Sequence, residues 1–269
     1  MGTLVCFHAH PDDESISTGG SIARASADGH RVVLVVATNG DFGEVPGDLA
    51  PGETLVDRRK AETERSAVAL GIHRVVWLGY ADSGMTGWEQ NLFANAFVGA
   101  PLEEAAQRLA EVLIDEGADV LTTYDWHGNY GHPDHIKVHH VGHRAAEIAQ
   151  TPSVFEATMN RDDFVRMMKM VAELAGESGH VGPEIDFDPQ GPADDGNPMG
   201  TPEAEITHAV DVTAFLQHKR ESMRCHRSQI TDTSFFLEMP EAMFVAAFGT
   251  EWFIKKNAPP GLQPGWLFD

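Results

Sequence analysis

The sequence predicts an α/β fold: a doubly wound, mostly parallel sheet of the Rossmann-like type, with a C-terminal elaboration. Two observations carry this prediction. Short apolar runs without polar alternation, typical of strands covered on both faces, recur along the first half of the chain. Each run is separated from the next by a segment with helical character. Strands that alternate with helices at these lengths favour a parallel sheet whose ligand crevice lies beyond the carboxyl ends of the strands.

The elements of the first half follow in order. Residues 4–9 form an apolar run typical of a buried strand, and residues 14–28 have a helical tendency that Gly29 can end. Residues 31–38 (RVVLVVAT) predict a second buried strand. A charged amphipathic helix at 54–70, closed by Gly71, precedes a strand at 74–79, and a helix at 102–116 precedes a strand at 119–124.

The second half is less regular. A helix is predicted from 135 to 149, a strand at 154–159 and a helix at 162–175. Residues 176–202 are rich in Gly, Pro and Asp and predict a long loop or insertion. A strand at 206–211, a helix at 213–225 and an apolar C-terminal element at 239–253 follow. At 269 residues the chain suits one domain, 1–269, better than two.

Composition excludes several classes of partner. The chain has 41 acidic and 19 basic residues and a formal net charge of -22. Nucleic acid and anionic membrane surfaces need basic patches, so neither is an expected partner. With only Cys6 and Cys225, a disulfide framework or a cysteine-based zinc site is not expected. The sequence shows no signal peptide or membrane span, and we expect a cytoplasmic protein.

Two clusters carry chemistry, and each joins imidazole and carboxylate groups around a proline. The first is HPDDE at 10–14, directly after the first strand, and the second is YGHPDH at 130–135, after the strand that ends at 124. Two imidazoles and one carboxylate make a three-ligand Zn²⁺ site with a fourth position left open, and His10, Asp13 and His135 supply that set. Read singly, either cluster could instead cap a helix or complement its dipole.

The sequence resembles the LmbE-like, or PIG-L, family of N-acetylglucosaminyl deacetylases, which includes the mycothiol-pathway deacetylase and amidase. The resemblance rests on HAHPDDE at 8–14, the GNYGHPDH stretch at 128–135, DSGM at 82–85, and CHRSQI at 225–230. It covers most of the chain and is weakest at 162–202. It implies a single LmbE-like domain.

By this resemblance the metal ligands fall on His10, Asp13 and His135, and the family's general base falls on Asp12. Adjacent carboxylates near a helix start can point differently, so one can bind Zn²⁺ while the other accepts a proton from water. In the family a tyrosine contributes to the oxyanion site, and Tyr130 is the matching residue.

Two further predictions concern proton transfer, and four concern contacts with the substrate. We expect His132 to stabilise the oxyanion and, when protonated, to pass a proton to the leaving amine, with Asp134 orienting this imidazole and raising its pKa. The resemblance places substrate contacts on Arg59 and Asp82, and the late CHRSQI element could bring His226 and Gln229 to the crevice. A surface salt bridge and a helix-end loop are the alternatives for Arg59 and for the late pair.

The sequence therefore predicts a zinc-dependent hydrolase that removes an N-acyl group, typically N-acetyl, from an amino-sugar-like small molecule. The alternatives are an amidase acting on a mycothiol S-conjugate and a non-catalytic sugar- or metal-binding module. A nucleotide-binding enzyme is disfavoured because no G-x-G-x-x-G follows the first strand. His139 and His143 extend a helical stripe from His135 that could itself bind metal, but it would leave the first cluster without a role. A homo-oligomer is compatible with the sequence.

Overall fold

The computed structural model describes residues 1–178 and 190–269, and its strands form one sheet. They are β1 (Thr3–His8), β2 (Arg31–Thr38), β3 (Arg74–Tyr80), β4 (Val120–Tyr124), β5 (Ser153–Thr158), β6 (His208–Asp211), β7 (Thr250–Lys255) and β8 (Gln263–Pro264). Their order is β3-β2-β1-β4-β5-β7-β6-β8. The first five are mutually parallel, whereas β7 runs antiparallel to β5 and β6. The predicted α/β class and C-terminal elaboration are confirmed.

Helices cover the sheet, and two of them end at a glycine. The end of one of these, at Gly71, was predicted. The helices are α1 (Gly19–Ala27), α2 (Leu55–Leu70), α3 (Leu102–Glu116), α4 (Pro133–Ala149), α5 (Arg161–Ser178), α6 (Leu216–Cys225), α7 (Phe235–Glu238) and α8 (Glu241–Phe248). Gly71 closes α2 at φ 73° and Gly117 closes α3 at φ 57°, a left-handed conformation that glycine adopts without steric cost. No helix in the described ranges has both the length and the apolar character to cross a bilayer.

Two predicted elements differ from the structure. The helix expected at 14–28 is a π-helical turn, Glu14–Thr18, followed by α1, because the buried side chains of Glu14 and Thr18 are tied to other elements. The loop expected at 176–202 begins inside α5, since residues 176–178 are helical, and its residues 190–202 are irregular. Its remainder, 179–189, lies outside the described residues.

The topology brings the two sequence clusters together. The chain builds β2 and β3 on one side of β1 and then crosses to place β4 on the other side. β1 and β4 are therefore hydrogen-bonded neighbours, with Leu4 opposite Val120. The loops after both strands leave the same edge of the sheet at this switch point, which is where open α/β sheets bind ligands.

A candidate metal centre at the switch point

Three side chains from the two clusters converge on one point. The Nδ1 atom of His10 lies 3.5 Å from Oδ2 of Asp13. The Nε2 atom of His135 lies 3.4 Å from the same oxygen and 3.3 Å from Nδ1 of His10. The three atoms thus form a nearly equilateral triangle, and we call these residues the metal trio. All three lie at the carboxyl ends of β1 and β4, His135 in the first turn of α4.

The dimensions of the metal trio fit a divalent cation. In a tetrahedral Zn²⁺ site with ligand bonds of about 2.0–2.1 Å, two ligand atoms lie about 3.3–3.4 Å apart. The observed edges match this spacing. They are also long for direct hydrogen bonds. His132 offers a further imidazole, with ring nitrogens of His10, His132 and His135 within 4.8 Å of one another. The metal trio is the better ligand set because its edges are even and it includes an anion.

Two carboxylates fix the orientation of the His10 ring from its Nε2 side. Its Nε2 lies 3.3 Å from Oδ2 of Asp134 and 3.5 Å from Oδ1 of Asp82, so the ring donates its proton on that side and leaves Nδ1 free for a metal. Asp134 is fixed in turn by the backbone amide of Ser83 at 2.8 Å and by the Ser83 hydroxyl. Although burial opposes ionisation of Asp82, the hydrogen bonds that its carboxylate accepts from the His10 ring and from the Gly84 amide hold its pKa well below the usual range.

We expect Asp134→Asn to weaken metal binding by about 10–100-fold, because the amide cannot accept the His10 N–H and the Ser83 hydroxyl as a carboxylate does. Titration calorimetry with Zn²⁺ measures this affinity. Asp119→Asn is the matched control, since that carboxylate accepts the Thr3 amide at the other end of β1. Equal affinity for metal in the two variants would contradict the role of Asp134.

Asp12 lies beside the metal trio in a strained, half-buried position. Its backbone has φ 108°, which a non-glycine residue rarely adopts. Arg59 donates from Nη2 to its carboxylate at 3.1 Å, and also holds the carbonyls of Pro11 and Gly40. Burial raises the pKa of Asp12 to about 6, against the opposing charge of Arg59. The arginine predicted to contact substrate is therefore engaged in fixing the loop that carries Asp12.

His132, Asp134 and Tyr130 lie next to the metal trio, and Asp134 is fully buried. The backbone amide of Asp134 donates to Nδ1 of His132 at 3.1 Å, which leaves the proton of the neutral ring on Nε2. The expected pair between the Asp134 carboxylate and the His132 ring does not form. Asp134 lies in the first turn of α4, and its carboxylate contacts His10 and Ser83 instead. Burial lowers the pKa of His132 to about 3 and outweighs the charge of Asp134, which raises this pKa as expected. The hydroxyl of Tyr130 lies 3.4 Å from Nε2 of His135.

The late CHRSQI element supports the site from behind. His226, only 1 % exposed, bonds through Nε2 to Oε1 of Glu14 at 2.6 Å. Glu14 also accepts the hydroxyl of Ser66 at 2.5 Å. Gln229 accepts the amide of Glu44 at 3.0 Å and donates to its carbonyl. His226 is thus held by Glu14, the residue that ends the first cluster, and Gln229 fixes the loop after β2.

His139 and His143, the other histidines of the predicted stripe, lie apart from the metal trio. His143 bonds to Glu156 at 2.7 Å, and His139 bonds through Nδ1 to the carbonyl of Tyr124 at 3.0 Å. These two histidines and Glu156 form a separate group that does not include His135. His8 bonds to the hydroxyls of Tyr124 and Thr18 inside the core, and burial lowers its pKa to about 4.

A glycine before α4 controls the position of His135. Gly128 has φ 64°, and a Cβ placed there would lie 2.3 Å from Cβ of His135. We expect Gly128→Ala to lower the free energy of unfolding by about 1–3 kcal/mol and to displace His135, so that metal binding also falls. Chemical denaturation and metal analysis measure the two effects.

Gly117→Ala is the matched control, because Gly117 has a similar φ of 57° with no atom within 4 Å of the added Cβ. It carries the backbone strain without the collision. If both variants lost stability but bound metal equally well, the collision with His135 would be disproved.

Sequence reasoning missed a large apolar cavity that opens onto the metal trio. Its volume is about 640 Å³, and Asp13, His135 and Tyr130 line its inner end. Aromatic rings from α5, α7, α8 and β7 line the walls together with five methionines: Met159, Met167, Met168, Met199 and Met239. No periodicity could have revealed it, because these residues come from elements that are distant along the chain.

Comparison with known proteins decides the family. Residues 5–146, just over half of the chain and including both clusters, match the family described as PIG-L: GlcNAc-PI de-N-acetylase. The chain is also 40% identical over 241 residues to a 1D-myo-inositol 2-acetamido-2-deoxy-alpha-D-glucopyranoside deacetylase of Nocardiopsis dassonvillei, with 83% of each chain covered. The chain belongs to the PIG-L family. This PIG-L protein is accordingly an amide-hydrolysing enzyme, a deacetylase.

Solved structures agree with the fold of this PIG-L protein. An N,N'-diacetylchitobiose deacetylase from Pyrococcus horikoshii has a TM-score of 0.52 at 23% identity, over 90% of this chain and 73% of that one. A 4-carboxy-2-hydroxymuconate hydratase from Pseudomonas putida has a TM-score of 0.57 at 15% identity, over 97% and 98%. Since a hydratase catalyses a different reaction from a deacetylase, the fold alone does not decide the chemistry of a protein with this architecture.

Proposed function

We propose that this protein is a zinc-dependent enzyme that removes the acetyl group from the amino sugar of a small glycoside. The observation that carries the proposal is the metal trio together with the Asp12 carboxylate, which lies outside the trio on the residue next to Asp13. The curated relatives named as inositol N-acetylglucosaminide deacetylases support the substrate class. Of the metals that accept nitrogen and oxygen ligands, Zn²⁺ suits a tetrahedral set of two imidazoles and a carboxylate.

The metal trio would hold the ion through Nδ1 of His10, Nε2 of His135 and Oδ2 of Asp13. Zn²⁺ bound there supplies Lewis acidity, which polarises the amide carbonyl and makes water more acidic. Asp12 accepts a proton from the attacking water as its oxygen bonds to the carbonyl carbon. His132 donates its Nε2 proton in a hydrogen bond to the developing oxyanion, and Tyr130 stands near enough to assist.

The second half of the reaction returns the proton. When the C–N bond breaks, Asp12 passes the proton it accepted to the leaving nitrogen, so that acetate and a free amine are formed. Asp12 thus serves as base and then as acid, with Arg59 keeping its carboxylate in place at 3.1 Å. Asp82, fixed at the same edge beside His10, is the candidate acceptor for a sugar hydroxyl.

The test is amine release from 1D-myo-inositol 2-acetamido-2-deoxy-α-D-glucopyranoside and from N-acetylglucosamine, with protein loaded with Zn²⁺. We expect stoichiometric amine and acetate from the glycoside. Tight binding of the glycoside without any amine would instead support the non-catalytic module and refute the proposal. Release from a thiol-conjugated amide, but from neither sugar, would support the amidase.

A further inference from the structure

We propose that the apolar cavity beside the metal trio is an acyl-chain site, so that this enzyme accepts amides of medium-chain fatty acids in addition to acetamides. This inference rests on the proposed function and extends its substrate class. The cavity touches Asp13 and His135, and therefore begins where the amide carbonyl must sit. A group attached to the carbonyl carbon would enter it directly.

The size of the cavity exceeds what an acetyl group needs. At about 640 Å³ it falls within the range of about 300–1,000 Å³ of pockets that take drug-sized ligands. An acetyl group ends in a single methyl and would leave most of that space to water against apolar walls. Methionine side chains are flexible and polarisable, so the five that line the cavity can adapt to chains of different length.

Two charged residues that line the cavity are paired with each other and with the backbone. Lys219 donates to Glu251 at 2.6 Å and to the carbonyl of Ile16 at 2.7 Å. Glu251 also accepts the amides of Gly20 and Ser21, each at 2.8 Å. These two buried charges therefore need no partner from an occupant, so that the mostly apolar remainder of the lining suits an alkyl chain.

The side of the site away from the cavity is polar. This difference decides which end of the substrate enters the cavity. Arg59 and Asp82 are absent from the cavity lining and lie on the β2–β3 side with Asp41, whose carboxylate accepts the Asp82 amide at 3.0 Å. The hydroxylated sugar belongs to this polar side. Across the amide, the acyl chain then points to the methionines.

The experiment compares glucosamines carrying N-acetyl, N-butyryl, N-hexanoyl and N-octanoyl groups, by amine release with the Zn²⁺-loaded protein. Each buried methylene is worth about fourfold in binding, so we expect kcat/KM for N-octanoylglucosamine to exceed that for N-acetylglucosamine by at least about tenfold. Octyl N-acetylglucosaminide is the control, because it carries an eight-carbon chain at the anomeric oxygen instead of at the amide. A gain for the octyl glycoside in place of the N-octanoyl compound would overturn the assignment of the cavity to the acyl group.

A variant pair on α8 tests the location. Ala247 lines the cavity, whereas Ala242 on the same helix is exposed and does not. Ala247→Phe should narrow the cavity and lower the ratio of N-octanoyl to N-acetyl kcat/KM by about tenfold, while Ala242→Phe should leave that ratio unchanged. Octanoate titrated against the protein by calorimetry should bind more tightly than acetate, and Ala247→Phe should remove the difference.

The outcomes separate the two proposals. If N-acetylglucosamine is hydrolysed but longer chains gain nothing and octanoate binds no better than acetate, the acyl-chain site is refuted and the deacetylase stands. If no N-acyl sugar yields amine while octanoate binding depends on Ala247, the proposed reaction is refuted and the apolar site stands.

Discussion

Asp12→Asn is expected to lower kcat by about 10²–10⁴-fold while the protein keeps its metal. Asparagine retains the size of the side chain but cannot accept the proton of the attacking water. The metal trio does not include Asp12, whose carboxylate is held by Arg59 at 3.1 Å. Amine release at saturating substrate measures the loss, and metal analysis of the purified variant measures occupancy.

Asp13→Asn is the matched control, because it makes the same change one residue further along. Asp13 supplies the oxygen vertex of the metal trio and accepts the His10 amide at 2.8 Å. This variant should lose metal as well as turnover. A fully active Asp12→Asn variant, or one that loses its metal as Asp13→Asn does, would remove Asp12 from the role of base.

His135→Ala is expected to abolish activity by removing a vertex of the metal trio, with metal affinity reduced by at least about a hundredfold. The loss should exceed that of a residue that acts only through a ligand, for which about 10–100-fold is usual. Treatment of the parent with a chelator should likewise stop amine release, and added Zn²⁺ should restore it. Calorimetry with Zn²⁺ and activity after reconstitution are the measurements.

His139→Ala decides between the metal trio and the histidine stripe of α4. His139 lies one turn after His135 and bonds to the Tyr124 carbonyl at 3.0 Å. We expect the variant to retain its metal and its activity, with a modest loss of stability. If His139→Ala lost metal and His135→Ala kept it, the assignment of the metal trio would be wrong.

The spacing of the ligand atoms in the metal trio matters because proteins that share this fold catalyse different reactions. The hydratase from Pseudomonas putida shares this architecture at 15% identity, so topology by itself cannot distinguish the reactions. In this chain, the side chains at the switch point and the similarity to deacetylases indicate which reaction takes place. The proposed reaction therefore depends on Asp12 and the metal trio and not on the sheet.

Much of the site's support was beyond prediction, and the reason is the same at each position. That Asp134 holds His10 requires α4 to begin so that its first side chains point to Ser83, and Ser83 comes from the loop after β3. That His226 bonds to Glu14 requires α6 to pack over the π-helical turn. These contacts join residues from distant parts of the chain, and no local pattern encodes them.

The sequence by itself determined the parallel strands, the helix end at Gly71, and the position of both clusters at strand ends. These features follow from local physics: apolar runs require burial, and glycine adopts left-handed conformations without cost. Only the tertiary structure decided which carboxylate holds which imidazole, and that an apolar cavity stands beside the metal trio. Those properties depend on the distances between elements, which arise only when the whole core has packed.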